Sequence, residues 1–499
     1  MDEFEDLSMD ELWALTTENN DDSMRAKALI EVALRSRRSG DLQDALSAAQ
    51  AASDIFASLD DTLEVGRSSY FAGTLCNQLE RYEDAIELLD RAIEIYRVNA
   101  SETMLADAIR AKADALMYLD RLDEAHEERK SAVALYESNE AYTPAGIVAL
   151  DIGEAFGRAG HQSQALESFQ EAFRIFQLGG DLIGAGRAHD RIAAALIDLG
   201  NLSDAIVHLR DALAIFEYIE DENRLTYSKY RLGWTLVTVG ENEEALGWLE
   251  QAVAEHKANR KYTEAAQADV QRAHALGSMG RSEEATAIYR SVRAVFEGAG
   301  QLEDAYITDV NIATRLMEAG DLFGAEESLH RAIHGAAELD DKWLDRASRV
   351  RLAELYYQRE QYEAALETLA PTDALSWGEN FEQKTRHLNI HAKVLTALGR
   401  QDEALPLIET VIGLGLAPSY LGETASAYEQ LANIWRDSNK PEVDQIVAQS
   451  IALYLAAGFD EKARVLSKLL MPGDTNPATQ ILRRDENQPT VGDGEDHPE

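Results

Sequence analysis

Small and apolar residues along the chain recur with a period of forty positions. A residue typical of turns marks each period, and we call these positions turn anchors. They are Gly40, Glu80, Asp120, Gly160, Gly200, Gly240, Gly280, Gly320, Glu360 and, after one deletion, Gly399 and Asn439. An alanine follows each of the first ten anchors by five residues, and a glycine or alanine precedes every anchor by seven. This regularity indicates an array of tandem repeats.

Each period predicts two helices joined at the anchor. After Glu80, the residues Ala85, Leu89, Ala92 and Tyr96 recur at steps of four, three and four, which places them on one face of a helix. The residues before each anchor show the matching inward face of a partner helix. A glycine at the anchor accepts the left-handed conformation that ends the first helix.

Small residues at fixed places let the two helices of a repeat approach closely. One such pair cannot bury its whole apolar stripe, so successive pairs must stack. Only Pro144 among the nine prolines precedes Pro371, which agrees with a long succession of helices. The sequence therefore predicts an all-α fold, an α-solenoid of about eleven helix-turn-helix repeats.

The spacing within one repeat resembles the tetratricopeptide repeat family. Gly153, Ala165 twelve residues later, Phe169 and Ala172 reproduce the internal offsets of that motif. The resemblance covers about residues 23–457, but the period is forty instead of about 34, and the closing proline is absent. Longer repeats of this kind are similar to those of kinesin light chains and bacterial regulators. The resemblance implies a right-handed superhelix whose first helices line a concave groove.

The ends of the chain differ from the array. We expect residues 1–22 to be an acidic segment with a capping helix, in which Ser8 and Glu11 form a capping box. The repeat array is expected over residues 23–457 and a C-terminal capping helix over residues 458–471. The acidic tail, residues 472–499, has little to bury and is expected to be disordered.

Charge excludes some partners. The chain has 90 acidic and 47 basic residues, a net charge of -43. This balance argues against non-specific binding to nucleic acid and against adhesion to anionic membranes. One cysteine, Cys76, leaves no internal disulfide to form, and the N-terminus lacks the basic start of a signal peptide. We therefore expect a cytoplasmic protein.

Candidate binding residues lie on the first helix of each repeat, at positions thirteen, ten, nine, six, three and two before the anchor. We call these positions the groove face. In the fifth to seventh repeats it carries Arg187, Asp190, Arg191, Tyr227, Tyr230, Arg231, Trp234, Gln267, Gln271 and His274. Arginine and exposed aromatic residues suit an acidic protein segment. Two interpretations stay open, because the same arginines could pair with carboxylates of neighbouring repeats.

The sequence carries no recognisable catalytic motif, neither a phosphate-binding loop nor a nucleophile elbow. Two histidine pairs, His330 with His334 and His387 with His391, have helical spacing, but neither has a further ligand in its pattern. We interpret them as surface or core histidines. The prediction is a protein with no enzymatic activity, no cofactor and no metal site.

The function predicted from the sequence is a scaffold or adaptor that binds a peptide or a partner helix in its groove. The alternative is a regulatory sensor, in which the array binds a peptide or small effector and signals to a partner chain. Stacked repeats with nearest-neighbour contacts flex readily, which makes such a response physically reasonable.

Overall fold

The computed structural model describes residue 4 and residues 6–18, 21–98, 102–373, 381–414, 421–437 and 442–468. All regular secondary structure in these ranges is helical, which confirms the predicted α-solenoid fold of paired repeats. The contacts divide the chain into two units, Met1–Glu255 and His256–Glu499. The predicted acidic tail, residues 472–499, lies outside the described residues.

The first unit begins with one short helix and continues with helices of similar length. The helices are α1 (Met9–Glu18), α2 (Asp22–Ser39), α3 (Leu42–Ser58), α4 (Thr62–Gln78), α5 (Tyr82–Val98), α6 (Glu102–Tyr118), α7 (Leu122–Ser138), α8 (Tyr142–Arg158), α9 (Gln162–Gly179), α10 (Leu182–Asp198), α11 (Leu202–Tyr218) and α12 (Glu222–Val239). The unit boundary falls within α13 (Asn242–Ala258).

The second unit continues the same alternation. Its helices are α14 (Tyr262–Ser278), α15 (Ser282–Gly298), α16 (Leu302–Glu318), α17 (Leu322–Leu339), α18 (Lys342–Gln358), α19 (Tyr362–Asp373), α20 (Phe381–Ala397), α21 (Gln401–Gly413), α22 (Leu421–Asp437), α23 (Val443–Ala456) and α24 (Asp460–Ser467). The last of these lies within the segment expected to cap the array.

Helices that follow one another along the chain pack against each other from α1 to α12 and from α14 to α24. They run antiparallel: Asn139, directly after α7, donates a 2.7 Å hydrogen bond to Glu102 at the start of α6. First helices of neighbouring repeats also touch, as α8 does with α10 and α18 with α20. This arrangement of nearest-neighbour contacts places adjacent groove faces side by side within a unit.

All ten turn anchors that the structure describes have the predicted left-handed conformation, with φ of 92° at Gly40 and 59° at Glu80. Two backbone hydrogen bonds close the helix at Glu80. The Glu80 N–H donates to the Asn77 carbonyl, and the Arg81 N–H donates to the Cys76 carbonyl. A second series lies half a period away, which the sequence analysis missed because most of its members are not glycine. It includes Asp60, Glu140, Gly180, Glu220, Arg260, Gly300 and Asp340.

The small residue seven positions before each anchor makes room for a large one on the partner helix. A methyl group on Gly153 would overlap the ring of Phe169, and one on Gly73 would overlap Leu89. The alanines five positions after the first ten anchors are fully buried. The small-residue pattern therefore reflects close helix-to-helix contact, as the sequence predicts.

Aromatic residues near the end of the second helix fill the space between repeats. Phe176 is fully buried. Its ring lies where side chains at Gly146, on its own repeat, and at Gly184, on the next, would stand. A glycine on each side thus lets one ring contact both first helices.

The N-terminal capping box also forms. The Ser8 backbone N–H donates to the Glu11 carboxylate at 2.7 Å, and the Glu11 N–H donates to Ser8 Oγ at 3.3 Å. These hydrogen bonds lower the pKa of Glu11. Among the helices of the described ranges, none is long and apolar enough to span a bilayer.

Candidate functional site

The groove face of α10 and α12 is tied together by Asp190 and Arg231. Arg231 Nη1 donates a 2.9 Å hydrogen bond to the backbone carbonyl of Asp190. Ser228 Oγ donates to the Asp190 carboxylate at 3.1 Å. Burial raises the pKa of Asp190, while the nearby Arg231 charge opposes that rise. Arg231 is only 8% exposed, so it stabilises the contact between two repeats and offers little surface to a partner.

Arg191 is exposed but paired. Its Nη2 lies 2.9 Å from Glu154 Oε1, which joins α10 to α8 of the preceding repeat. Arg187 is half-buried on the same helix. Arg191 therefore shows the pairing with a carboxylate of the neighbouring repeat that the sequence left as one of two interpretations, whereas Arg231 bonds to a backbone carbonyl of its neighbouring repeat.

The aromatic members of the predicted set do present surface. Tyr227 is 53% and Trp234 37% exposed. The Tyr227 and Tyr230 rings lie 6.4 Å apart, and the Arg231 guanidinium lies 5.9 Å from the Tyr227 ring. This part of α12 combines exposed rings with a fixed positive charge beneath them.

Gln267, Gln271 and His274 belong to the second unit, on α14. Gln267 is exposed, and His274 Nδ1 lies 3.4 Å from Gln271 Oε1. The His274 ring meets Tyr289 edge to face at a centroid distance of 5.7 Å. Burial and the charge of Arg315 lower the pKa of His274, which keeps the ring neutral at pH 7.

A cavity that the sequence analysis did not select lies on the groove face of the first unit. Its volume is about 680 Å³. Tyr70, Arg110, Asp114, Tyr118 and Arg158 line it. The signal that could have found it is the shared offset of these residues from their anchors, since all five occupy groove-face positions.

A cavity of about 570 Å³ in the second unit has a different charge. Its charged lining residues are Arg351, Glu354, Arg386, Lys393, Glu423 and Lys462. They come from the groove faces of α18 and α20, from the start of α22 and from α24. We call this opening the cationic cavity.

The two carboxylates of the cationic cavity are already engaged. Arg351 Nη1 lies 2.7 Å from Glu354 Oε2, and Arg386 Nε lies 3.3 Å from Glu423 Oε1. Asn389 Nδ2 also donates to the Glu423 carboxylate at 2.8 Å. These bonds neutralise both acids and hold them against the wall.

Two lysines of the cationic cavity remain without such a partner. Within the described residues, no carboxylate lies within 4 Å of Lys393 or Lys462. Lys462 Nζ instead lies 5.2 Å from the Phe459 ring and 5.6 Å from the Tyr454 ring. In a chain of net charge -43, this cavity is a place of local positive charge.

Within the described residues, neither histidine pair from the sequence analysis belongs to a group of three potential metal ligands. His330 and His334 are exposed, and each has a glutamate within 3.9 Å. His387 is buried, and its Nε2 lies 3.0 Å from Thr372 Oγ1. His330 and His334 therefore lie at the surface, and His387 lies in the core.

The described residues do contain one group of three potential metal ligands, and its members lie on two helices. His189 lies on α10, and His208 and Asp211 lie on α11. Burial lowers the pKa of both histidines. Cys76, by contrast, is buried alone, and burial raises the pKa of its thiol.

The fold and the groove face define this chain as an α-solenoid of paired-helix repeats. Two family models match it, a tetratricopeptide repeat over residues 25–97 and a tetratricopeptide repeat-like domain over residues 245–406. Both matched stretches are thus of the tetratricopeptide repeat type, which supports the resemblance seen in the sequence. No curated protein sequence matches it.

Several solved structures are similar to this chain. A Rap protein in complex with competence and sporulation factor shares 16% identity over 74% of this chain and 99% of its own, with a TM-score of 0.43. A tetratricopeptide repeat protein from Parabacteroides merdae shares 16% over 57% of this chain and 98% of its own, with a TM-score of 0.42. A putative kinesin light chain from Podosopora anserina shares 21% over 38% and 94%, with a TM-score of 0.32.

Proposed function

We propose that this protein is a non-enzymatic scaffold that binds an acidic, extended segment of a partner protein. The cationic cavity is the anchoring point of that segment. The observation that carries the proposal is the pair Lys393 and Lys462, which line a cavity of about 570 Å³ and have no carboxylate within 4 Å in the described part of the chain.

The wall of the cationic cavity suits an acidic side chain. Glu354 and Glu423 are each held by an arginine, so they repel an incoming carboxylate less than free acids would. A carboxylate between Lys393 and Lys462 gains two charge-assisted hydrogen bonds. The exposed Phe459 ring beside Lys462 adds apolar surface for the neighbouring residue of the segment.

The exposed rings of Tyr227 and Trp234, on α12 of the first unit, are a separate contact surface for a partner protein in this proposal. Exposed aromatic residues supply large contact areas with few rotatable bonds, which suits the recognition of protein segments. Arg191 and Arg231 then act as supports that fix α8, α10 and α12, because their guanidinium groups already have partners.

Fluorescence anisotropy with the full chain tests the proposal. The probe is a labelled peptide of alternating glutamate and leucine, compared with a matched peptide of lysine and leucine. We expect the acidic peptide to bind, and binding to be lost in the Lys393→Glu, Lys462→Glu double variant. Lys342→Glu is the matched control, because Lys342 is exposed on α18 of the same unit and does not line the cavity.

Equal affinity for the two peptides, or unchanged binding of the acidic peptide by the double variant, would overturn the assignment of the cationic cavity. Loss of binding in Lys342→Glu as well would show that net charge alone governs the interaction. Circular dichroism of each variant establishes that the helices are intact.

A further inference from the structure

One position on the first helix, eleven residues before the anchor, carries a buried polar side chain in several consecutive repeats. In the sixth and eighth repeats this residue has partners of opposite charge. Lys229 Nζ lies 2.5 Å from Glu255, and Asp309 lies 2.8 Å from both Arg293 and Arg331. In the fifth repeat the residue is His189, 7% exposed, and it faces a second histidine.

The two histidines face each other across one helix pair. His189 Nδ1 of α10 lies 2.8 Å from His208 Nδ1 of α11. At this distance one Nδ1 must carry a proton and donate it to the other, because two lone pairs would repel. The 2.8 Å partner of His189 is thus another imidazole, whereas Lys229 and Asp309 have a partner of opposite charge at a similar distance.

A carboxylate completes the group. Asp211 Oδ2 lies 3.9 Å from His189 Nδ1, and the three ligand atoms all lie within 4.8 Å of one another. Two imidazole nitrogens and one carboxylate oxygen are the donor set of many open zinc sites. The Asp211 side chain is 53% exposed, so the fourth position around an ion would face solvent.

We propose that His189, His208 and Asp211 bind one zinc ion or a similar late first-row divalent cation. With bonds of about 2.0–2.1 Å, tetrahedral ligands stand roughly 3.3 Å apart. The 2.8 Å distance between the histidines and the 3.9 Å distance to Asp211 lie on either side of that value. The third pair, His208 and Asp211, lies within 4.8 Å, so ligation needs side-chain rotation to bring the three atoms to this spacing. The proton between the rings then moves to Nε2 of the ring that carried it.

The ion would join the two helices of the fifth repeat. All three ligands lie on α10 and α11, so the complete site exists only when this helix pair is folded. Binding to the folded state alone raises its stability according to the free concentration of the ion. The open position takes water or an acidic side chain of a partner.

Metal titration of the full chain, freed of metal by a chelator and prepared without a histidine tag, tests this proposal. Cobalt(II) is the optical probe, because its visible absorption reports ligand geometry, and zinc competition gives the affinity. We expect one ion per chain, displacement of cobalt by zinc, and a higher melting temperature with zinc. Asp211→Asn and His208→Ala should weaken zinc binding at least about tenfold.

The control is the double variant His330→Ala, His334→Ala, which removes two exposed histidines of the second unit and should bind as the wild type does. Asp211→Asn changes an exposed side chain, so it keeps the test decisive even if His208→Ala folds poorly. The proposal is overturned if the wild type binds no ion, or if Asp211→Asn binds zinc with wild-type stoichiometry and affinity.

Discussion

The ring of Phe169 occupies the space that a side chain on Gly153 would need. Phe169 is 5% exposed, and the two residues join the two helices of the fourth repeat. We therefore expect Gly153→Ala to destabilise the protein by about 1–3 kcal/mol, because the added methyl forces the ring or the helix to move. Chemical denaturation followed by circular dichroism measures the change.

Gly157 provides the matched control, one turn further along α8. A methyl there would meet its nearest neighbours at 3.9 Å, which is ordinary contact. Gly157→Ala should therefore stabilise the helix by up to about 1 kcal/mol. Equal effects of the two substitutions would show that helix propensity, and not the Phe169 contact, selects glycine at position 153.

The fully buried carboxylate of Asp309 forms ion pairs with two arginines from different helices. Arg293 of α15 and Arg331 of α17 each approach it to 2.8 Å, and its side chain is 0% exposed. We expect Asp309→Ala to cost about 3 kcal/mol of unfolding free energy, since both guanidinium groups lose their shared partner. A double-mutant cycle with Arg293→Ala isolates the coupling.

An exposed acid on the same helix serves as the comparison for Asp309. Glu303→Ala should change stability by no more than about 0.5 kcal/mol. If Asp309→Ala were as mild as Glu303→Ala, the buried network would contribute nothing to the stability of the second unit.

The left-handed anchors differ in the strain that they carry. Gly240 adopts φ of 88°, and a methyl there would have no heavy atom within 4 Å. Gly240→Ala should therefore cost about 1 kcal/mol through backbone conformation alone. Glu80→Gly should have the opposite sign, because φ of 59° is strained for glutamate. Denaturation midpoints of both variants check this; a neutral Gly240→Ala would contradict it.

The histidine His387 makes stability depend on pH. Burial, reinforced by His391, lowers its pKa to about 4. An unfolded histidine titrates near about 6.5, so the unfolded chain binds an additional proton between these two values. The free energy of unfolding should therefore be greatest above pH 6.5 and fall as the pH falls towards 4, by at most about 1.4 kcal/mol per pH unit for this group.

Denaturation at a series of pH values measures the effect of His387. His387→Gln should flatten the dependence in this window. His334→Gln should leave it unchanged, because His334 has 76% of its side chain exposed. If His387→Gln kept the pH dependence of the wild type, as His334→Gln should, other titratable groups would account for that dependence.

Binding of the acidic peptide should weaken with salt. Lys393 and Lys462 attract it through charge, and ions screen exposed charges over about 8 Å at physiological ionic strength. Affinity should fall as salt is added, while binding of a peptide of glutamine and leucine should stay unchanged. An affinity independent of salt would mean that apolar contacts dominate.

The sensor alternative stays a prediction. Small-angle scattering of the full chain with and without the acidic peptide tests it, because a sensor changes its dimensions on binding. Unchanged dimensions at saturating peptide would contradict the sensor and leave the scaffold.

The amino-acid sequence by itself determines the repeats. Glycine at an anchor favours a left-handed turn, and a small residue such as Gly153 opposite a large one such as Phe169 forces close helix contact. These are local rules with fixed spacing, so the helix pairs and their boundaries are readable from the printed chain.

Only the tertiary structure decides which polar groups meet. Arg231 lies close to Asp190, which is 41 residues away along the chain, and His189 lies close to His208, which is 19 residues away. Both contacts form because the helices that carry these residues pack side by side. The period of the sequence indicates that these helices are neighbours, but it does not determine how their side chains are oriented. Those orientations place Arg231 in a contact between repeats and bring two histidines together with Asp211.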